Sequence, residues 1–195
     1  MASTSARSYH HGNLRSALLE AAESALAAGS DLSLRELARQ VGVSHAAPRR
    51  HFADKQALLD ALAEDGFLRL GAQLRAATAD GDFESRLLGF ARKYVAFAVE
   101  HAALLDLMWA GKHRVEAVRA ASDQAFMAPL ALIVEGQAAG EVVPGELEQV
   151  ATVAVATLHG LAAMVNNGML AATDLDEIVP ATVERLLLGL RPRNA

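Results

Sequence analysis

The sequence contains no cysteine and few aromatic residues, and both absences narrow its structural class. None of the 195 residues is cysteine, so disulfide bonds, cysteine–zinc sites and a cysteine nucleophile are excluded. Aromatic residues make up 5% of the chain, whereas hydrophobic residues reach 52%, so the apolar content is mostly alanine, leucine and valine. Because alanine and leucine favour helices and strand-forming residues are sparse, the composition predicts an all-α protein.

Motifs of catalysis and metal binding are also lacking. The chain has no paired carboxylates at a suggestive spacing, no Gly-x-Ser-x-Gly and no phosphate-binding loop, so we expect no enzyme and no cofactor. His101, His113 and His159 could be combined into a metal set, but no histidine pair spaced i, i+4 and no carboxylate cluster supports one. The polar N-terminus, residues 1–13, lacks the apolar core of a signal peptide, which favours the cytoplasm.

Charge is distributed unevenly along the chain. The net charge is −5, yet residues 1–60 hold seven basic and six acidic side chains, whereas the other 135 residues hold eleven and seventeen. Four of the seven histidines also lie in the first 60 residues. Acidic residues therefore concentrate in the C-terminal part, which suggests that an anionic partner binds the N-terminal part.

Apolar spacing predicts about nine helices in two domains. We expect a small N-terminal helical domain over residues 1–53 and a larger helical body over residues 54–195. In the body, a helix from about residue 112 to residue 139 is expected to bend at Pro129, because proline removes a helix hydrogen bond.

Two short, capped helices joined by a glycine turn form the most informative segment, residues 33–52. Ser33 and Glu36 have the spacing of a capping box, Gly42 supplies a left-handed residue that ends the first helix, and Ser44 can cap the next helix. This arrangement is typical of a helix-turn-helix, in which the second helix enters the major groove of DNA. An ordinary helical hairpin with solvated arginines remains the alternative. Pro48 argues against a long second helix, although it lies in the first turn after Ser44, where proline costs little.

The second helix would present base-reading and phosphate-binding side chains. Arg49 can make a bidentate contact with guanine, and small alanines permit a close approach to a thymine methyl group. The expected base-reading residues are His45, Ala46, Ala47 and Arg49. The expected phosphate contacts from this part of the chain are Arg50, His51 and Lys55, the last at a helix N-terminus.

Residues 32–44 (LSLRELARQVGVS) and 52–59 (FADKQALL) resemble the N-terminal domain of the TetR family of regulators. Residues 9–15 (YHHGNLR) resemble one branch of it, and residues 158–162 (LHGLA) resemble the His-Gly signature of one TetR-type C-terminal domain. The resemblance implies a homodimer, a palindromic double-stranded DNA operator, and repression that a small organic effector relieves.

The resemblance also assigns roles to individual positions. Ser33, Ser44, His51 and Lys55 match phosphate-contacting positions, and His45, Ala46 and Arg49 match base-facing positions. Position 49 is usually tyrosine in the family, and here it is arginine. The operator sequence therefore cannot be transferred from relatives.

Residues 149–173 contain no charged side chain. A membrane-spanning helix would have this composition, but His159, two asparagines and several threonines interrupt the run, and neither end has a basic flank. We expect no membrane partner and instead a helix buried in a dimer interface, together with the last helix of the chain. The expected interface residues are Val155, Leu158, Ala162, Val183, Leu186 and Leu187.

A ligand cavity in the body would be mostly apolar with a few polar groups. The candidate lining residues are Phe97, Met108, Trp109, His113, Phe126, Met127, Leu130, His159 and Met164. For each of them taken singly, His159 included, a place in the core is favoured over contact with a ligand. A helical scaffold that binds another protein remains an alternative function, but it leaves the basic segment after Gly42 unexplained.

Overall fold

The computed structural model describes residues 11–190, with side chains from Leu14 onward, and this part of the chain contains helices, turns and no strand. The all-α prediction is confirmed, with eight α-helices against the expected nine or so. Tyr9 and His10 of the opening motif lie outside the described residues. The helices are α1 (His11–Ala27), α2 (Leu34–Val41), α3 (Lys55–Ala77), α4 (Phe83–Glu100), α5 (Ala102–Lys112), α6 (Glu116–Ala139), α7 (Leu147–Asn166) and α8 (Leu175–Leu190), with short 3-10 helices at Pro48–Arg50 and Ala172–Asp174.

The ends of α2 follow the residue types that the sequence places there. The backbone N–H of Glu36 donates to Ser33 Oγ at 3.1 Å, which satisfies one free donor of the first turn. The Glu36 carboxylate does not complete the capping box, because it binds the guanidinium of Arg39 on the next turn. Gly42 has φ of +77°, and the N–H of Val43 returns to the carbonyl of Ala38 at 2.9 Å, which closes the helix in the expected left-handed cap.

The segment after Gly42 differs from the helix expected there as the second helix of the helix-turn-helix. Residues 44–47 form a turn that leads into the 3-10 helix Pro48–Arg50. Backbone bonds span three residues, from Ala47 N–H to Ser44 and from Arg50 N–H to Ala47. Proline has no N–H, so Pro48 cannot donate the bond that an α-helix requires at its position. We call residues 44–52 the recognition segment.

Helix α3 connects the N-terminal part with the body. Asp54 caps its start by accepting a hydrogen bond from the Ala57 N–H at 2.8 Å. The helix packs against α1 on one side and against α4, α5 and α6 on the others. One continuous hydrophobic core therefore runs from Leu14 in α1 to Leu187 in α8.

Helices α6 and α7 are the long apolar helices of the body. Helix α6 continues through Pro129 without ending. By length and composition alone, both helices could cross a membrane. In the structure they are bundle helices, because α6 packs against α3 and α7 packs against α4.

The outward face of α7 differs from the face expected at a dimer interface. Four of the expected interface side chains are buried within one chain, at most 6% exposed, because α7 and α8 pack them against α4. These four are Leu158, Ala162, Val183 and Leu187. Val155 and Leu186 are partly exposed. The outward face of α7 instead carries Val153, Ala156, Thr157, Gly160 and Met164.

Candidate DNA-binding surface and ligand cavity

The recognition segment is anchored from inside and exposed outside. Pro48 and Phe52 are buried, and Ala47 packs against the core. Ala47 is thus half-buried and not freely presented to a base, contrary to expectation. The other expected groups of the segment are exposed: Ser44, His45, Ala46, Arg49, Arg50 and His51.

The positive charge of this surface is concentrated on Arg49 and Arg50. Neither forms an ion pair within residues 14–190. Lys55 Nζ lies 3.4 Å from Asp31, but both side chains are exposed, so the pair contributes little and leaves the lysine available. The arginines are therefore free to contact an anion.

Two further residues, Ser33 and Arg35, lie beside the recognition segment. The Ser33 hydroxyl is partly buried and serves as the cap of α2, so any phosphate contact would come in addition to that role. Arg35, in the first turn of α2, is exposed and was missing from the sequence-based set. Its position two residues after the capping serine was the available signal, because free N–H groups there also attract phosphate.

A cavity of about 850 Å³ lies among α4, α5, α6 and α7. Three aromatic rings form part of its wall. The ring centroids of Trp109 and Phe126 are 5.9 Å apart, and those of Tyr94 and Phe126 are 6.3 Å apart. The lining residues are Tyr94, Asp106, Trp109, Lys112, Ser122, Asp123, Phe126, Met127, Leu130, Ala151, Thr152, Val155, Ala156 and His159.

The polar groups of the cavity differ in burial. Tyr94 is buried, and its hydroxyl lies 3.2 Å from Nδ1 of His159. Burial raises the pKa of Tyr94 to about 12, against a weaker lowering by a hydrogen bond from Trp109. The phenol therefore stays protonated at neutral pH. Asp106 and Asp123 are exposed, and Lys112 Nζ lies 5.3 Å from the centroid of the Trp109 ring.

Comparison with known proteins decides the family. A family model described as "Tetracyclin repressor-like, C-terminal domain" matches residues 87–186, and one described as "Bacterial regulatory proteins, tetR family" matches residues 18–62. The chain belongs to the TetR family. Its N-terminal part is the DNA-binding domain of a TetR-type transcription regulator. Because members of this family are transcription factors, its membership supports the prediction that the protein is not an enzyme. The C-terminal description does not name the His-Gly type, which stays a prediction.

Solved structures agree with the TetR assignment. A protein of unknown function from Rhodococcus sp. RHA1 is 44% identical, with a TM-score of 0.85 over 95% of this chain and 100% of that one. A TetR family regulator from Marinobacter aquaeolei VT8 is 18% identical, with a TM-score of 0.78 over 93% and 97%. The regulator FadR from Bacillus subtilis, in complex with stearoyl-CoA, is 16% identical, with a TM-score of 0.70 over 90% and 99%. No curated protein matches the sequence.

Only part of the expected ligand-binding set lines the cavity of this TetR protein. Trp109, Phe126, Met127, Leu130 and His159 do line it. The other four residues lie elsewhere. Phe97 and Met108 are fully enclosed in the core, Met108 against Gly66, because both belong to the inner faces of their helices. His113 and Met164 are exposed outside the cavity.

Several lining residues were not expected from the sequence. Tyr94, Ser122 and the two carboxylates come from three helices, and Val155 was expected at a dimer interface. One signal was available, since Ser122 lies one turn before Phe126 and therefore shares its face of α6. Within the described residues, no group of three histidine or acidic side chains could hold a metal ion.

Proposed function

We propose that this protein is a homodimeric, cytoplasmic repressor that binds a palindromic operator and is released from it by a small organic effector. The observation that carries the DNA-binding part is the exposure of Arg49 and Arg50 on a segment whose inner side is anchored by Pro48 and Phe52. An anchored segment can hold guanidinium groups at a fixed height above a groove, as base reading requires. The domain boundary between residues 53 and 54 belongs to the same proposal.

The proposal separates a base-reading arginine from a phosphate-binding one. Arg49 follows the buried Pro48 and matches a base-facing position of the family, so we assign it to guanine. Arg50 is assigned to phosphate, together with His51, Ser33, Ser44 and Lys55. His45 and Ala46 are assigned to bases.

A mobility-shift assay across the promoter region of the protein's own gene tests DNA binding. We expect salt-sensitive binding to a palindrome, and Arg49→Ala should cost about 1–3 kcal/mol on that site while changing binding to random DNA little. Arg50→Ala should weaken binding to both DNAs alike. Arg92→Ala, at an exposed position of α4, is the matched control and should change neither. Equal losses on specific and random DNA for Arg49→Ala would reassign it to phosphate, and failure of the wild type to bind would refute DNA recognition.

The outward face of α7 supports the homodimer. A β-carbon at Gly160 would meet no atom within 4 Å in the chain, so packing within one chain does not require glycine there. Glycine inside a helix costs roughly 0.5–1 kcal/mol relative to alanine. Close approach of a second copy would explain the residue, and Val153 and Met164 on the same face are 50% and 37% exposed.

Sedimentation analysis tests this interface. Gly160→Leu should convert the dimer to a monomer that keeps its helical content, because the added side chain obstructs only the partner. Ala120→Leu, at an exposed position on α6, should remain dimeric. A dimeric Gly160→Leu variant would place the interface elsewhere.

The cavity supports the effector. Its volume of about 850 Å³ lies within the range of pockets that enclose drug-sized molecules, and the similarly folded FadR holds stearoyl-CoA. A ligand releases DNA only if it binds better to a conformation in which the two recognition segments no longer fit the operator.

A further inference from the structure

Ser122 differs from other hydroxyl-bearing residues of the helices. It is fully buried, and its Oγ has no hydrogen-bond partner. Four other helical or helix-ending hydroxyls donate to the carbonyl four residues earlier. They are Ser24 to Glu20 at 2.9 Å, Thr78 to Leu74 at 2.9 Å, Thr152 to Glu148 at 2.6 Å and Thr157 to Val153 at 2.8 Å. Ser122 does not use the bond that its helix offers.

The position of Ser122 indicates what could complete its hydrogen bonding. The residue lines the cavity, one turn from Phe126 on the same face of α6. An unpaired buried hydroxyl is unfavourable in a folded protein. A ligand group that enters the cavity would therefore gain a hydrogen bond that the empty protein does not make.

A second pair of polar groups, Tyr94 and His159, lies at the cavity. Tyr94 keeps its proton at neutral pH, because its pKa is about 12, and its hydroxyl lies 3.2 Å from Nδ1 of His159, to which it can donate. A neutral imidazole that accepts at Nδ1 carries its own proton on Nε2. His159, which lines the cavity, can thus donate to a ligand, as can Ser122, and both donors suit an acceptor oxygen.

The charged residues of the lining argue against an ionic group at this place. Asp106 and Asp123 are exposed and Lys112 is partly exposed, whereas Ser122 and Tyr94 are buried and uncharged. A carboxylate beside Ser122 would lose its hydration and face two acidic residues against one lysine. A charge without a buried partner is strongly disfavoured.

We propose that the ligand of this cavity is an uncharged, largely apolar molecule whose carbonyl oxygen accepts a hydrogen bond from Ser122, with His159 as a second donor. The proposal rests on the proposed function, in which this cavity is the effector site. It makes Ser122 a specificity-determining residue, and it assigns the aromatic wall to the apolar part of the ligand.

Trp109 provides the measurement, because it is the only tryptophan of the chain and lines the cavity. Its fluorescence is titrated at pH 7.5 with three probes that share a chain length: 2-decanone, decanoate and decylammonium. We expect 2-decanone to bind at least about tenfold more tightly than either ion. Preference for an ion, equal affinity for all three probes, or no response to any of them would overturn the proposal.

Two variants separate Ser122 from its surroundings. Ser122→Ala should weaken 2-decanone binding about 3- to 10-fold, the usual worth of one hydrogen bond, and should leave the binding of both ions unchanged. Ser24→Ala is the matched control, because the Ser24 hydroxyl bonds to its own helix and lies outside the cavity. It should keep the wild-type affinities. An unchanged affinity for 2-decanone in Ser122→Ala would refute the role of Ser122.

DNA binding is measured on the same preparations. Loss of the ketone preference in a protein that still binds its operator rejects only the ligand class. Failure of the wild-type protein to bind DNA rejects the proposed function instead.

Discussion

Replacing Gly71 with alanine tests how closely α3 and α6 cross. A β-carbon at Gly71 would lie 2.8 Å from Cα of Ala125 and 3.1 Å from its Cβ. Favourable contacts between carbon atoms are about 3.5–4.0 Å long, so one helix would have to move by several tenths of an ångström. Because the obstructing atom belongs to the backbone, no rotamer change can relieve the contact.

Gly66→Ala is the matched control on the same helix. A β-carbon at Gly66 would meet Met108 Sδ at 2.7 Å and its Cγ at 3.0 Å, and a flexible methionine side chain can adjust. Both alanines gain about 0.8–1.0 kcal/mol of helix propensity, and this gain cancels in the comparison. We therefore expect the free energy of unfolding of Gly71→Ala to be about 1–3 kcal/mol lower than that of Gly66→Ala, the usual cost of overpacking.

Denaturant unfolding followed by far-ultraviolet circular dichroism measures this difference. Protein concentration is held fixed, because the stability of the proposed dimer would depend on it. Equal free energies for the two variants, or a less stable Gly66→Ala, would refute the inference that the backbones at Gly71 and Ala125 leave no room for a methyl group.

Three further predictions concern single side chains. Ser33→Ala should lower the free energy of unfolding by about 1 kcal/mol in chemical denaturation, because the N–H of Glu36 loses its cap; unchanged stability would exclude the cap. The pKa of Tyr94 is raised above the ordinary value of 10.0 to about 12, so stability should be complete below pH 10 and fall by about 2–3 kcal/mol as the pH rises to 12. Tyr94→Phe should show a shallower fall in a pH series of denaturant titrations, and parallel curves would contradict this. Glu23→Gln should destabilise by about 1 kcal/mol, because Glu23 is partly buried between basic groups of α3 and the end of α4. Glu20→Gln, at an exposed position of α1, should change stability little by the same measurement, and equal effects would show that the pairing contributes nothing.

Features that depend on neighbouring residues could be predicted from the sequence. The cap at Ser33 and the left-handed Gly42 result from bonds that span three to five residues. Both partners of each hydrogen bond therefore lie within a short stretch of sequence. The 3-10 geometry after Gly42 follows in the same local way from Pro48, although the capped pattern predicts a longer helix there.

Features that depend on packing could not be predicted in the same way. Helix α7 is apolar around most of its circumference, so periodicity does not tell which side faces the core. Leu158 and Ala162 face inward only because α4 lies against them. The cavity likewise requires side chains from four helices, so Tyr94 and Ser122 could be assigned to it only once the packing was known.

The crossing of α3 and α6 connects the cavity to the recognition segment through two directly packed helices. Ala125, which contacts Gly71, lies between Ser122 and Phe126, so the same turns of α6 line the cavity and support α3. Helix α3 begins at Lys55, three residues after the recognition segment ends. Because close-packed helices cannot absorb a displacement within the contact, a ligand that shifts this part of α6 must shift α3 as well. The two alanine variants therefore also bear on coupling. On the proposed function, a bound ketone weakens operator binding. Gly71→Ala should then change the factor by which 2-decanone weakens it more than Gly66→Ala does, and an equal factor in both variants would show that the coupling does not pass through this contact.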